Sequence, residues 1–167
     1  EVKEGKLVIK VKKGYNLQPS SWKKDGGIYV TVPVESVNEV TLSGSGDIVG
    51  KKTISASEFS TNMSGSGDIT LDVKSKTLSA SMSGSGDINL SGTTEVFDVQ
   101  ISGSGDIEAY DLIADTVDAS ISGSADIKVT ANKMLKARVS GSGDIHYRGD
   151  ATKLDTKSSG SGDITRG

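Results

Sequence analysis

Apolar and polar residues alternate with a period of two along most of the chain. Between residues 59 and 71 every second position carries an apolar residue, a threonine or a glycine, and the positions between them are polar. Successive side chains of a β-strand point to opposite faces, so this alternation predicts strands with one buried face. No helical period competes with it.

The alternation belongs to a motif that occurs seven times. Each copy is Ser-Gly-Ser-Gly-Asp-Ile, except that one copy carries Ala125 in place of its second glycine. The steps between the motif aspartates are 21, 19, 19, 20, 18 and 19 residues, and these aspartates are Asp47, Asp68, Asp87, Asp106, Asp126, Asp144 and Asp163. A period near 19 residues matches one coil of a β-solenoid, where each coil buries its apolar edge against the next.

The two glycines of the motif predict a corner in each coil. A straight strand of thirteen residues would extend roughly 43 Å, too far for a coil of this length to close. Glycine adopts positive φ without strain and carries no Cβ, so Gly-Ser-Gly is the expected bend. Each coil then has a strand before the corner, a strand through Asp-Ile and a return of variable length. Ala125 indicates that its position does not require positive φ.

We therefore predict an all-β fold, a right-handed parallel β-helix with coils of about 19 residues, because parallel crossovers are overwhelmingly right-handed. The alternative is a left-handed β-helix, whose coils repeat a hexapeptide three times, which this coil does not. Residues 1–41 lack the motif, and we expect strands at 7–11 and 28–32 that form a cap or an irregular first coil. Residues 42–167 form the solenoid, and the whole chain is expected to be one structural domain.

Charge and composition exclude several functions. The net charge is −3 with lysines spread among the acids, so no basic patch for nucleic acid is present. Without cysteine there is no disulfide, thiolate zinc site or thiol nucleophile. No stretch approaches the ~18 consecutive apolar residues of a membrane span. Because the chain begins at Glu1, we expect that a signal peptide or lipid anchor was removed from it.

The sequence Gly-Ile-Tyr-Val-Thr-Val-Pro at 27–33, followed by Val-Thr-Leu-Ser-Gly-Ser-Gly-Asp-Ile at 40–48, resembles a bacterial family. This family is the "putative auto-transporter adhesin, head GIN domain" family, found largely in Bacteroidetes. The resemblance covers nearly the whole chain. It implies a right-handed β-helix-like fold and an extracytoplasmic location, in the periplasm, at the outer membrane or secreted. It carries over no catalytic residues.

The row of seven aspartates allows two interpretations. Stacked coils place neighbouring carboxylates about 4.8 Å apart, where they repel by roughly 1 kcal/mol per pair even in water. In the structural interpretation, each carboxylate accepts hydrogen bonds from backbone N–H or serine hydroxyl groups at the corner. In the functional one, the row binds Ca²⁺. Calcium-loaded β-rolls carry their Asp motif twice per coil rather than once, so we favour hydrogen bonds and no cofactor, with Ca²⁺ as the alternative.

The sequence offers no catalytic constellation. His146 is the only histidine, and the returns contain only the scattered acids Asp111, Asp115 and Asp150. We therefore expect a non-enzymatic module for adhesion or cell-envelope interaction, with glycans or envelope proteins as partners. Formation of a homo-oligomer is compatible with this role. The alternative is a carbohydrate-active enzyme on the same scaffold, which requires a groove with two acids roughly 5 to 9.5 Å apart. Trp22 and Tyr15 form a further candidate, a sugar-stacking platform.

Overall fold

The computed structural model describes residues 1–3, 5–11, 14 and 28–167, and within these ranges it contains β-strands and no helix. The chain divides into two compact units, Glu1–Pro33 and Val34–Gly167. Trp22 and Tyr15 lie outside the described residues.

In the first unit, β1 (Val2–Lys3) pairs antiparallel with β2 (Lys6–Leu7). The prediction of strands at 7–11 and 28–32 is wrong in extent, because only Leu7 belongs to a strand and residues 28–32 form none. An apolar stretch becomes a strand only when a neighbour takes its backbone hydrogen bonds. Val8 exchanges hydrogen bonds with Glu1, whose carbonyl accepts from the Val8 N–H at 2.8 Å and whose N-terminal amine donates to the Val8 carbonyl at 2.9 Å, but among the residues described in this unit no strand pairing extends to 9–11 or 28–32.

The second unit is a β-solenoid of about seven turns, as the motif period predicted. Its strand pairs are all parallel and place equivalent positions side by side, such as Gly44 beside Gly65 and Ile69 beside Ile88. The strands are β3 (Glu39–Gly44), β4 (Ile48–Val49), β5 (Ile54–Ser55), β6 (Glu58–Gly65), β7 (Ile69–Lys74), β8 (Thr77–Gly84), β9 (Ile88–Gly103), β10 (Ile107–Gly123), β11 (Ile127–Gly141), β12 (Ile145–Arg148), β13 (Lys153–Gly160) and β14 (Ile164–Arg166).

The strand before and the strand after each corner form two walls of the solenoid. The returns are expected to follow the strand through Asp-Ile. In the central coils these segments, at 91–95, 110–116 and 130–134, lie inside the long strands β9, β10 and β11, which run from one motif to the next. Register shifts absorb the differences in coil length there, since Glu108 lies beside Asn89 but Leu112 lies beside Gly92. Length variation is therefore confined to the returns, as expected.

The core is a set of stacked apolar columns inside the solenoid. One column lies just before the motif, one lies at the motif isoleucine, and their central members are at most 3% exposed. These residues are Met63, Met82, Ile101, Ile121 and Val139, and Ile69, Ile88, Ile107, Ile127 and Ile145. Full burial of such a side chain contributes about 1.5–3 kcal/mol. In the last coil Ser158 occupies the first column, and all of β13 is exposed, as expected of a terminal coil.

The glycine corners bring the backbones of adjacent coils into direct contact. An ideal Cβ on Gly86 would lie 1.8 Å from the carbonyl oxygen of Gly67 in the preceding coil, and one on Gly84 would lie 2.0 Å from that of Gly65. The first glycine of the motif also adopts positive φ in most coils, for example +140° at Gly123. The second glycine does not, which agrees with the presence of Ala125 in that column.

We predict that Gly84→Ala, in the glycine column that carries no alanine in any copy, lowers the free energy of unfolding by about 2 kcal/mol or more, because its Cβ would lie 2.0 Å from the Gly65 carbonyl oxygen and this backbone can move only by separating two coils. The matched control is Gly46→Ala in the first coil, where no atom lies within 4 Å of the added Cβ. This control should change stability by less than about 0.5 kcal/mol. Urea unfolding followed by circular dichroism measures both, and equal effects would contradict the prediction.

Candidate functional site

The motif aspartates form a continuous hydrogen-bonded ladder along the corners. The Oδ1 atom of each of the first six motif aspartates accepts a hydrogen bond from the backbone N–H of the aspartate in the next coil, at 2.7 to 3.2 Å. Backbone bonds flank each of these contacts: Ile88 N–H donates to the Asp106 carbonyl, and Ser104 N–H donates to the Gly84 carbonyl. The carboxylate thus supplies an acceptor to an N–H that these backbone bonds leave over.

These contacts agree with the structural interpretation of the aspartates, with one difference. The donor belongs to the following coil, rather than to the same turn. An N–H dipole directed at each carboxylate offsets part of the repulsion between neighbouring charges. Over the described ranges, no group of three or more histidine or acidic side chains is placed to hold a metal ion. The Ca²⁺ interpretation stays a prediction.

We predict that Asp106→Ala lowers the free energy of unfolding by about 1–2 kcal/mol, since it leaves the Asp126 N–H without its acceptor at 2.9 Å. Asp106→Asn keeps the Oδ1 acceptor and should lose less. Asp163→Ala is the control, because Asp163 ends the ladder and no N–H of the described residues donates to its carboxylate. Thermal and urea unfolding of the three variants test this, and a loss at Asp163 as large as that at Asp106 would refute the role of the ladder.

A shallow groove of about 470 Å³ crosses the wall formed by the strands before the corner. Two rows of small polar side chains border it, and neither row contains a titratable group. The rows are Thr41, Asn62, Ser81, Gln100 and Ser120 on one side and Ser64, Ser83, Ser102 and Ser122 on the other. We call this surface the serine groove. No hydrogen bond joins consecutive serines of these rows in the part of the chain that is described, whereas Thr41 donates to Glu39 and Gln100 donates to Asp98.

A second concavity, of about 480 Å³, lies on the wall formed by the strands after the corner, and we call it the Tyr110 pocket. It is lined by Thr70, Leu71, Asn89, Leu90, Ser91, Glu108, Tyr110, Asp111 and Arg148. A β-bulge builds it. Ala109 and Leu112 are fully buried, whereas Tyr110 and Asp111 between them both face outward. Two consecutive outward residues break the alternation and direct a phenol and a carboxylate into the same concavity.

Neighbouring coils hold the Tyr110 pocket in place. The Arg148 guanidinium lies 3.9 Å from the centre of the Tyr110 ring, a cation–π contact across the intervening coil. Thr130 Oγ1 in that coil donates to the Tyr110 carbonyl at 2.7 Å. Lys128 forms an ion pair with Glu108, whose hydrogen bond and charge raise the pKa of the lysine.

The return acids and the histidine that the sequence singles out lie in different surroundings. Asp111 alone among the return acids lines a pocket. Asp115 binds Lys133 at 2.8 Å, and this hydrogen bond raises the pKa of the lysine, while Asp150 is exposed. His146 Nδ1 lies 2.8 Å from Thr165 Oγ1 in the next coil.

Sequence reasoning missed Glu108, Asn89 and Arg148 as members of a pocket. The one signal in the sequence was the 20-residue step that ends at Asp126, between steps of 19 and 18. It marks the coil that contains the bulge.

The chain matches one protein family and is similar to several solved structures. A family model described as "Putative auto-transporter adhesin, head GIN domain" matches residues 1–151. The chain is similar to a solved "putative adhesin" from Bacteroides fragilis, with 29% identity, a TM-score of 0.76, and coverage of 78% of this chain and 60% of that one. It is also similar to a "Putative lipid binding protein" from Parabacteroides distasonis, with 34% identity, a TM-score of 0.76, and coverage of 79% and 55%.

A "putative adhesin" from Parabacteroides distasonis is similar as well, with 25% identity, a TM-score of 0.69, and coverage of 77% and 58%. The chain thus spans between 55% and 60% of the length of these solved chains. No curated protein matches it. In the described ranges the structure has no helix that could cross a membrane.

Proposed function

Because the chain belongs to the "Putative auto-transporter adhesin, head GIN domain" family, as its repeated motif predicted, we propose that it is a non-enzymatic adhesion module acting outside the cytoplasm. Its ligands are glycans or envelope proteins at cell surfaces. Two of the similar solved structures are described as putative adhesins, which supports this role.

The observation that carries the proposal is the serine groove. Its hydroxyl and amide groups recur at the strand spacing of about 4.8 Å and are borne on a backbone that stacking holds rigid. Each hydroxyl donates one hydrogen bond and accepts others, so the rows match a ligand that presents its own hydroxyls or amides along its length. The groove has no acid, base or histidine in its lining. It therefore offers binding without a group for proton transfer.

We predict that Ser83→Tyr, which fills the middle of the serine groove, weakens ligand binding about tenfold or more. The matched control is Ser85→Tyr, two residues later, which is exposed but does not line the groove and should bind normally. Arrays of glycans and envelope proteins, followed by surface plasmon resonance, measure both variants. Phospholipid vesicles belong in the screen, since one similar structure is described as a lipid binding protein. Clean negatives on all arrays, or equal losses in both variants, would contradict the proposal.

One observation favours a second candidate, a carbohydrate-active enzyme. Glu108 and Asp111 both line the Tyr110 pocket, and glycosidases use two carboxylic acids in one groove. The test incubates the protein with each glycan that it binds and measures new reducing ends. If the protein releases new reducing ends and both Glu108→Gln and Asp111→Asn abolish them, catalysis replaces adhesion as the function. If no product forms, the enzyme candidate is excluded.

A further inference from the structure

We propose that the Tyr110 pocket is a saccharide-binding site for one or two rings of a neutral sugar with adjacent hydroxyl groups. The site lies on the opposite side of the corner from the serine groove. The two sites share no lining residue, and binding at the Tyr110 pocket does not depend on the ligand of that groove.

The bulge that forms the pocket is not needed for stacking the coils. In β11 a single step leads from Val129 to Thr130, whereas the paired positions of β10, Ala109 and Ile113, are four residues apart. The shorter path closes its coil and still buries Val129 fully. The additional residues of β10 instead place Tyr110 and Asp111 on the surface together. Bulges commonly redirect side chains next to functional sites.

Tyr110 provides a rigid, partly exposed aromatic platform. Arg148 holds its ring through the contact at 3.9 Å, and Thr130 holds its backbone at 2.7 Å. A tyrosine that is already ordered offers amphipathic contact area at little cost in conformational entropy. A sugar ring, which has an apolar face and a polar edge, fits such a platform beside hydrogen-bonding groups.

Hydrogen-bonding groups surround this platform without partners of their own. The Asn89 amide, the Ser91 hydroxyl and the Asp111 carboxylate line the pocket, and none of them is hydrogen-bonded through its side chain to another described residue. A carboxylate accepts two hydrogen bonds, while an amide both donates and accepts. Together they match adjacent sugar hydroxyls, each of which needs a donor and an acceptor.

Charge and size narrow the ligand class. Lys128 pairs with Glu108, and Arg148, which keeps its positive charge in the cation–π contact, balances the charge of Asp111. A lining whose charges balance gives no net attraction to phosphates or acidic sugars, and the Asp111 carboxylate accepts hydrogen bonds from neutral ones. The volume of about 480 Å³ lies within the range of roughly 300 to 1,000 Å³ typical of small-molecule sites.

The experiment titrates the full chain with glucose, galactose, mannose, N-acetylglucosamine and their disaccharides, and with glucuronate. Nitrogen-15 NMR follows the side-chain amide of Asn89. We expect shifts with at least one neutral sugar and weaker binding of glucuronate. Tyr110→Ala and Asp111→Asn should each weaken that binding about tenfold. Tyr110→Phe, which keeps the ring, should retain most of it.

Matched controls separate this site from folding and from the serine groove. Tyr29→Ala removes an exposed tyrosine of the first unit, and Asp115→Asn changes an acid of β10 outside the pocket, so both should bind within twofold of the parent. Ser83→Tyr should leave the titration unchanged even if it abolishes adhesion. Unchanged melting temperatures show that the variants fold. No response to any sugar at tens of millimolar, tighter binding of glucuronate, or full binding by Tyr110→Ala would overturn the proposal.

Discussion

The structure depends on direct contact between backbones at the glycine corners. The carbonyl oxygen of one coil occupies the space where the next coil would carry a Cβ, as at Gly65 and Gly84. This close approach keeps consecutive coils in register, so that Ile69 packs beside Ile88 and Met63 beside Met82. The core has little aromatic mass, and its columns stay continuous because every corner repeats the same separation. A single Cβ at this contact therefore disturbs more than its own volume.

The same register explains why the aspartate is part of the motif. At each corner the aspartate N–H has no backbone acceptor, and the carboxylate of the preceding coil accepts its hydrogen bond. The repeated polar chemistry of the chain is thus used between coils, where it holds the corner together. Groups available to a ligand are those that the ladder does not use, namely the outward rows of the serine groove and the residues of the bulge.

Much of the solenoid could be predicted from the sequence, because its determinants are local and repeated. The period-two alternation placed Met63, Met82 and Ile101 inside, and the motif placed the corner. Two features needed the structure. Residues 28–32 are apolar and alternate, yet strand formation depends on a partner that no local pattern specifies. The Tyr110 pocket arises in a coil that is one residue longer than the preceding coil and two residues longer than the following one. It also includes Arg148 from two coils away.

Because the coils stack in register, whole coils can be gained or lost in evolution without rearranging the rest of the solenoid. Each coil forms its strand pairs only with the coils directly before and after it, so duplication or loss of one coil leaves the internal contacts of the others intact. Such an event would move everything beyond it by one strand spacing, about 4.8 Å, along the stack. The number of motifs then sets the length of a binding surface. That length changes in steps of one strand spacing, while the local structure of each coil stays the same.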